Sequence, residues 1–512
     1  MADHTIARTS YGPVQGGVGD GILFFKGIPY AAAPTGAGRF KPPAPPAPWQ
    51  EVRDATMFGA RAIQPERAFT IAPEVIAVFA SDIAEPMSED CLFLNIWTPD
   101  NQNEEEKGDL PVMVWLHGGA FISGSGAAPW YDGSKLARKG NVVVVTLNHR
   151  LGALGHLYLG ELAGAEFAQS GNVGMLDIVA ALRWVRDNIA AFGGDPGNVT
   201  IFGESGGGAK ACVLMAMPAA EGLFHKAIVE SGPAVEMMAK DAATQTARQM
   251  MTELGLTDAA QLEGVPAARL LEAQGKVLAQ LSALSFANRR RQGFNPVIDG
   301  TVLPGGPFEP AAPSISAHIP MMIGTNKDEM NLFHGVDSWP DQVSDENLVE
   351  AVGKFVGERA TAIVAAYRYV RPKASAREIA LAIATDQSVR MPSLTIADRQ
   401  MAQNGAPVFV YLFTWETPVL AGRLGSCHAL EIPFVFDNLD KTKLTGDAPT
   451  RLVLADTMSR SWIEFAYKDN PHHGGLPYWP RYNIAERPTM IFDLRCEVEN
   501  DPFAAERRAW EA

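Results

Sequence analysis

One serine of this 512-residue chain stands in a context that activates serine for chemistry. Ser205 belongs to the one G-x-S-x-G match in the chain, GESGG at residues 203–207. The β-rich segment Val199–Phe202 precedes the motif, and a helix-forming segment follows its glycines. A strand, a sharp turn and a helix together present such a serine as a nucleophile. The pattern therefore predicts Ser205 as a nucleophile in a strained turn.

A serine alcohol needs a general base, and the base needs an acid that orients it. In folds that carry this motif, the acid and then a histidine follow the serine along the chain. Glu329 is a candidate acid because it follows the apolar segment Met321–Ile323, at the edge where parallel strands present side chains. The neighbouring Asp328 is an equal candidate by spacing, and a solvated pair of loop acids stays possible.

Four histidines follow Glu329, and one of them has the position expected of the base. His428 opens the segment HALEIPFVF, shortly after the buried-type strand Val408–Phe413. The other three lie on the loop of the acid or in a segment rich in Gly and Pro, and they are His334, His472 and His473. We expect His428 to be the base, although a single histidine is more often structural.

Backbone N–H groups must stand where negative charge develops during acyl transfer. The segment HGGAF at residues 117–121 directly follows the apolar segment Val112–Leu116. Its glycines allow the backbone to approach a substrate closely. The alternative is a plain turn that ends a strand.

Further motifs make the chain resemble the type-B carboxylesterase family of the α/β-hydrolase fold, which includes cholinesterases and bacterial para-nitrobenzyl esterases. The resemblance covers nearly the whole chain. Its motifs are FKGIPY at residues 25–30, SEDCLFLN at 88–95, GNVGMLD at 171–177, FGGDP at 192–196 and FGESGG at 202–207.

The resemblance implies a role for each matching residue. It implies a catalytic triad of nucleophile, acid and base, which are Ser205, Glu329 and His428. It implies that the oxyanion hole uses the N–H groups of Gly119, Ala120 and Gly206. It also implies a buried second layer around the triad, made of Glu204, Ser231 and Glu431. Ala120 stands where the family has a glycine, so its methyl group disfavours esters of bulky tertiary alcohols.

Apolar segments alternate with helical ones along most of the chain, which predicts an α/β fold with a large, mostly parallel central sheet and helices on both faces. The predicted strands are 112–116, 142–147, 199–202, 227–229, 321–323, 408–413 and 490–492. The clearest helix has its apolar residues at Ile178, Leu182, Val185, Ile189 and Phe192. We expect one α/β-hydrolase domain over residues 1–512, with a small N-terminal antiparallel edge and a helical, cap-like insertion around 233–295.

Composition excludes several classes of protein. The 43 Lys and Arg against 58 Asp and Glu give a net charge of −15, which disfavours a nucleic-acid partner. The apolar runs are too short for a membrane helix, and the first residues lack the apolar core of a signal peptide. The four cysteines are far apart. We predict a cytoplasmic enzyme, a monomer or small homo-oligomer that needs no cofactor or metal.

The predicted function is hydrolysis of small carboxylic esters through a Ser-His-Glu triad and an acyl-enzyme. A related hydrolase of carbamates or aryl amides is the first alternative, because the same triad serves all three. A non-catalytic, neuroligin-like binding protein is the second. Neutral, apolar or aryl esters are the expected substrates, since residues 72–89 contain no Trp or Tyr to bind a choline group.

Overall fold

The computed structural model describes residues 4–66, 71–79, 85–100, 109–281, 292–334 and 342–511. Within these ranges the strands, labelled β1 to β18 in chain order, are Ile6–Arg8, Pro13–Gln15, Gly17–Gly19, Ile22–Pro29, Arg53–Asp54, Arg61–Ala62, Met87–Ser88, Phe93–Pro99, Leu110–Leu116, Val143–Leu147, Gly194–Glu204, Lys226–Glu230, Met238–Ala239, Val297–Ile298, Met321–Asn326, Val408–Phe413, Pro488–Phe492 and Glu497–Asn500. The α-helices, labelled α1 to α15 in the same way, are Pro73–Phe79, Ser134–Gly140, Gly152–His156, Val173–Asn188, Gly206–Ala216, Lys240–Leu254, Ala267–Leu281, Asn331–His334, Leu348–Val356, Ala360–Val370, Ala376–Thr385, Met391–Ala402, Ile432–Val435, Arg451–Lys468 and Ala504–Glu511.

One mixed sheet organises the described chain. Its strands lie in the order β18, β17, β16, β15, β12, β11, β9, β10, β8, β4 and β3. All strand pairs from β17 to β10 are parallel. The strands β8, β4 and β3 extend one edge in antiparallel fashion, and β18 does the same at the other edge. The predicted α/β class with an N-terminal antiparallel edge is confirmed, and the antiparallel β18 is an addition that the sequence did not predict.

The central strands are apolar along their length because helices cover both faces of the sheet. Side chains of β9 alternate between the two layers. Val112 and Val114 share one buried cluster with Ile178 of α4, whereas Met113 shares the other with Trp462 of α14. The core is therefore two apolar layers separated by the sheet.

The helix predicted from its apolar spacing is α4, which continues as a 3-10 turn over Ile189–Phe192. Ile178, Leu182 and Val185 are fully buried, as the spacing requires. Gly193 ends the turn with a φ of 84°, a left-handed conformation that glycine adopts at low cost.

Residues 233–295 contain two helices, α6 and α7, while 282–291 lie outside the described residues. Both helices belong to a separate apolar cluster, in which Met250 and Leu270 pack with Leu157 and Phe294. That this segment forms a cap, and that residues 1–512 form one domain, stay predictions.

No helix in the described ranges has the combined length and apolar character that a bilayer crossing requires. The four cysteines are free thiols, and three of them are buried. Burial raises the pKa of the Cys427 thiol well above its ordinary range, with further contributions from nearby carboxylates. The Cys427 thiol is therefore a poor nucleophile, since the thiolate is the reactive form.

Candidate active site

Ser205 stands at the junction of β11 and α5, where the chain turns sharply. Its φ of 57° and ψ of −118° are unfavourable for a residue with a side chain. Two backbone bonds hold the turn: the Ser205 amide donates to the Glu230 carbonyl at 2.8 Å, and the Ala209 amide donates to the Ser205 carbonyl at 3.0 Å. The strained conformation is thus fixed by the neighbouring strand and by the first turn of α5, as a nucleophile elbow requires.

Glycines around the turn allow its close packing. A Cβ atom on Gly207 would lie 1.9 Å from the Leu116 carbonyl oxygen. A Cβ atom on Gly232 would lie 2.0 Å from the Ser205 carbonyl oxygen. Both separations are far shorter than any contact between non-bonded atoms, so the turn needs glycine at these two positions.

Glu329 and His428 meet in the loops that follow β15 and β16. The Nδ1 atom of His428 lies 2.6 Å from Oε2 of Glu329, and both side chains are buried. The other carboxylate oxygen, Oε1, accepts a hydrogen bond of 2.7 Å from the backbone N–H group of Asn326. These contacts fix the orientation of the carboxylate, and with it the plane of the imidazole.

The neighbouring acid, Asp328, has other partners. Its Oδ2 accepts a hydrogen bond of 3.0 Å from the Ser426 amide and lies 3.5 Å from the Lys327 Nζ. The structure thus brings Glu329, and not Asp328, to the imidazole.

The second imidazole nitrogen faces the nucleophile turn. His428 Nε2 lies 3.1 Å from Oε1 of Glu204, the residue directly before Ser205. Burial alone lowers the pKa of His428, but the carboxylates of Glu204 and Glu329 outweigh it and raise the pKa to about 9. The ring of Phe333 lies 5.3 Å from the imidazole and covers it. The imidazole is therefore held between two acids, one on each nitrogen.

The loop after β9 folds over the nucleophile turn. Gly119 and Ala120 adopt left-handed φ angles of 84° and 52°. A Cβ atom on Gly206 would lie 2.6 Å from the Ala120 amide nitrogen, so these two backbone segments are in direct contact. The amide of Gly206 is in the first turn of α5, where it has no partner within the helix. The two backbone segments that carry the three predicted oxyanion amides are therefore adjacent.

Glu431 joins Ser231 to Asn326, the last residue of β15. Oε2 of Glu431 accepts a hydrogen bond of 2.6 Å from Nδ2 of Asn326, and Oε1 accepts one of 3.4 Å from the Ser231 hydroxyl. Burial and the nearby Glu329 raise the pKa of Glu431 to about 7, against the opposing effects of Asn326 and His428. Of the residues predicted to form a second layer, Glu204 contacts His428 directly, while Ser231 and Glu431 are connected through Asn326 to Glu329.

Sequence reasoning missed three polar residues of this region, which are Asn326, Glu230 and Lys210. Oε1 of Glu230 accepts a hydrogen bond of 2.8 Å from the Trp462 indole. Burial and the proximity of Glu431 raise the pKa of Glu230 well above its ordinary range, although the Trp462 bond opposes the shift. Its position at the end of a buried strand, directly before Ser231, was the signal available in the sequence.

The remaining histidine candidates have other surroundings. Nε2 of His473 contacts the Thr457 carbonyl oxygen at 3.0 Å, and the ring of His472 packs on Tyr478. His334 is the last residue of α8. In the parts of the chain that the structure describes, no three His, Cys, Asp or Glu side chains are grouped in a way that would hold a metal ion.

Comparison with known proteins identifies the family of this chain. The sequence model of the carboxylesterase family matches residues 3–510. A para-nitrobenzyl esterase of Bacillus subtilis is 40% identical over 99% of this chain and 98% of its own length. A phenmedipham hydrolase of Pseudarthrobacter oxydans is 32% identical, and the alignment covers 98% of each chain.

Solved structures give the same result. A carboxylesterase of Geobacillus stearothermophilus matches with a TM-score of 0.86 at 38% identity, over 99% of this chain and 100% of the other. A structure described as a thermophilic para-nitrobenzyl esterase matches with a TM-score of 0.85 at 37% identity, over 99% and 100%. The predicted esterase enzyme is confirmed, and the chain belongs to the carboxylesterase family.

Proposed function

We propose that this chain hydrolyses carboxylic esters with Ser205 as nucleophile, His428 as general base and Glu329 as the acid that orients it. The observation that carries the proposal is the contact of 2.6 Å between His428 Nδ1 and Glu329. The other nitrogen, Nε2, lies 3.1 Å from Oε1 of Glu204, the residue directly before Ser205. A base with one nitrogen fixed by an acid and the other close to the turn that bears a serine can activate the serine alcohol.

In the first half of the reaction, His428 Nε2 takes the proton of the Ser205 hydroxyl as its oxygen attacks the ester carbonyl carbon. The resulting oxyanion accepts hydrogen bonds from the amides of Gly119, Ala120 and Gly206. The tetrahedral intermediate collapses, and the alcohol leaves with the proton that His428 returns. Glu329 stabilises the imidazolium throughout.

Water repeats the same steps on the acyl-enzyme. Water gives a proton to His428 as its oxygen attacks the acyl carbon; the bond from the acyl carbon to the Ser205 oxygen then breaks, His428 returns the proton to that oxygen, and the carboxylic acid leaves. Ser231 and Glu431 make no bond to the reacting atoms in this scheme, whereas Glu204 Oε1 lies 3.1 Å from His428 Nε2, the nitrogen that carries the proton. This contact, and the bonds of Glu431 to Ser231 and Asn326, support a role for the three residues in setting the charge and position of the imidazole.

A fluorophosphonate probe tests the nucleophile. We expect one covalent label per chain, on the peptide that contains Ser205, and loss of the label in Ser205→Ala. Ester hydrolysis by that variant should fall by about 10⁴-fold or more, because triad members act as a unit. Undiminished labelling of Ser205→Ala would contradict the assignment. Ser134→Ala, a change to a half-buried serine at the start of α2, is the matched control and should keep the label.

Neutral, apolar or aryl esters are the proposed substrates. A choline group needs an exposed aromatic face, and tryptophan is the best one. Trp130 lies near residues 72–89, but Phe79 packs edge-on against its ring at 4.9 Å and Tyr131 stacks on it at 5.8 Å. Trp130 is buried, so these contacts leave its ring little surface for a cation.

The measurement is kcat/KM for butyrylthiocholine beside an uncharged thioester of the same acyl length. We expect the uncharged thioester to be preferred by roughly 30-fold, which corresponds to a missing cation–π contact of about 2 kcal/mol. Equal or faster turnover of the choline ester would contradict this substrate class.

Carbamates and aryl amides are the alternative substrates, since the same residues serve all three bond types. Comparative kcat/KM values for an ester, a carbamate and an amide with one common aryl leaving group distinguish them. A cytoplasmic location, a monomeric or small homo-oligomeric state and the absence of a membrane partner stay predictions from the sequence.

A further inference from the structure

Lys210 is a fully buried cation next to the proposed oxyanion hole. It lies on α5, five residues after Ser205, and 0% of its surface is exposed. Lysine is almost never buried completely without a partner of opposite charge. Among the described residues, Lys210 takes part in no ion pair. Its burial therefore needs another explanation.

The partners of Lys210 are two backbone carbonyl groups. Nζ donates hydrogen bonds of 2.8 Å to the His117 oxygen and of 2.8 Å to the Ala120 oxygen. It also lies 5.3 Å above the centre of the Phe121 ring. The two carbonyls belong to the residues on either side of Gly118 and Gly119, so Lys210 bridges both ends of the loop.

The bridged loop has a conformation that needs support. Gly119 and Ala120 both have left-handed φ angles, and Ala120 carries a side chain that disfavours this conformation. The same two residues supply two of the three amides proposed for the oxyanion hole. The third amide, of Gly206, is on α5 itself, in the same helix as Lys210.

We propose that Lys210 is a positioning residue, which holds the loop of Gly119 and Ala120 to α5 and thereby aligns the three oxyanion amides. This inference rests on the proposed function and extends it to a residue that does not touch the substrate. Burial lowers the pKa of Lys210 to about 7, although the Glu204 carboxylate opposes the shift. A neutral amine still has two N–H groups, one for each carbonyl, so both hydrogen bonds persist in either protonation state.

The role makes a specific kinetic prediction. Lys210→Met keeps the unbranched apolar part of the side chain, lacks the terminal nitrogen and so removes every donor. We expect its kcat to fall by about 10- to 100-fold with little change in KM, since misaligned donors act mainly on the transition state. Titration of active sites with the fluorophosphonate gives the folded fraction, so that kcat is expressed per working site.

Binding of a trifluoromethyl ketone gives a readout that a merely structural role would not change. This inhibitor adds to the active serine and places a negative oxygen in the oxyanion hole. We expect its inhibition constant to rise by the same factor as kcat falls, while inhibition by the neutral product alcohol stays unchanged. An unchanged kcat per site, or an unchanged ketone constant, would overturn the proposal.

Lys226→Met is the matched control. Lys226 is also buried, and it is the first residue of β12, at the opposite end of that strand from the Ser205 turn. It bonds to Asn198 and lies 3.1 Å from Asp469. We expect this variant to lose thermal stability and to keep the wild-type kcat per site and ketone constant. A loss of kcat equal to that of Lys210→Met would also overturn the proposal.

Lys210→Gln keeps the test decisive if Lys210→Met does not fold. The shorter amide retains donors but reaches less far, so kcat and ketone affinity should fall together and by less. A fall in kcat without a matching fall in ketone affinity would contradict the positioning role. If wild-type enzyme hydrolysed no ester at all, the proposed function would fail instead, and these comparisons would have no reference rate.

Discussion

Two regions of this protein bury several carboxylates, and they stabilise them in different ways. Near the C-terminus, Glu506 is 1% exposed and bonds to Nε of Arg371 at 2.6 Å. Arg390 lies 3.5 Å from Glu506 and forms hydrogen bonds of 2.6 and 2.5 Å with Asp386. Each acid there faces a guanidinium, so the charges compensate one another.

The carboxyl edge of the sheet gathers acids without a guanidinium. Four buried acids lie there, which are Glu204, Glu230, Glu329 and Glu431. Among the described residues, none of these four acids has an arginine partner. Their polar contacts are an imidazole, an asparagine amide, an indole, a serine hydroxyl and a backbone amide. Burial without a paired cation raises the pKa of an acid, as it does at three of these positions.

The difference between the two regions indicates a structural role for the acids near Arg371 and Arg390, and a catalytic role for the acids around His428. Acids paired with arginine join segments of the chain: Glu506 of α15 bonds to Arg371, the residue after α10. Burial without a guanidinium raises the pKa of Glu204, Glu230 and Glu431, so the protonation of these acids depends on the charge of their neighbours. A cluster of the second kind around a histidine is a candidate for catalysis on physical grounds.

The largest expected effect is at the acid that touches the imidazole. Glu329→Gln should lower kcat by about 10⁴-fold, since an amide cannot stabilise the imidazolium and favours the wrong tautomer. Asp328→Asn, one residue away, should change kcat far less because Asp328 contacts Ser426 and Lys327. Steady-state kinetics on one aryl ester compares the two. If Asp328→Asn proves the more damaging, the assignment of the acid is wrong.

The next largest expected effect is a loss of stability when one of the acids paired with arginine is neutralised. Glu506→Gln leaves the Arg371 and Arg390 guanidinium groups with less compensating charge, and we expect a loss of about 3 kcal/mol in the free energy of unfolding. The kcat per active site should remain that of the wild type. Urea denaturation and active-site titration measure the two quantities. A large fall in kcat per site of Glu506→Gln, without loss of stability, would show that the acids paired with arginine are not only structural.

The smallest effect is a displacement of the pH profile by Glu204→Gln. His428 must be neutral to accept the serine proton, so activity falls as the pH drops through the pKa of His428. The Glu204 carboxylate raises that pKa. Its removal should therefore move the acidic limb of kcat/KM to lower pH. Glu506→Gln is the control and should leave the limb in place; a shift to higher pH in Glu204→Gln would contradict the argument.

Local patterns account for the parts of the site that sequence predicts well. The turn of Ser205 needs a strand, a helix and glycines within about ten residues, and all of them stand in the printed sequence. Asp328 and Glu329 could not be separated by spacing because adjacent side chains on a loop point in different directions. The resemblance to a family indicated Glu329, and the structure brings Glu329 to His428.

Contacts between distant residues account for what the sequence did not predict. In the sequence, Lys210 is a single polar residue within an apolar helical segment. The two carbonyl groups that accept its hydrogen bonds are 90 and 93 positions earlier in the chain. Strand β18 is mostly polar and exposed at the sheet edge, so it has no apolar alternation to reveal it. Both features depend on where other segments lie, which spacing does not encode.

The Ser205 turn has a consequence for refolding. Its conformation depends on the Glu230 carbonyl of β12, while the loop that covers it leaves β9 and the histidine follows β16. No single segment of the chain holds enough of these parts to react with an ester. Recovery of enzyme activity after dilution from denaturant should therefore lag behind recovery of helical circular dichroism, which makes turnover a sensitive reporter of complete sheet assembly.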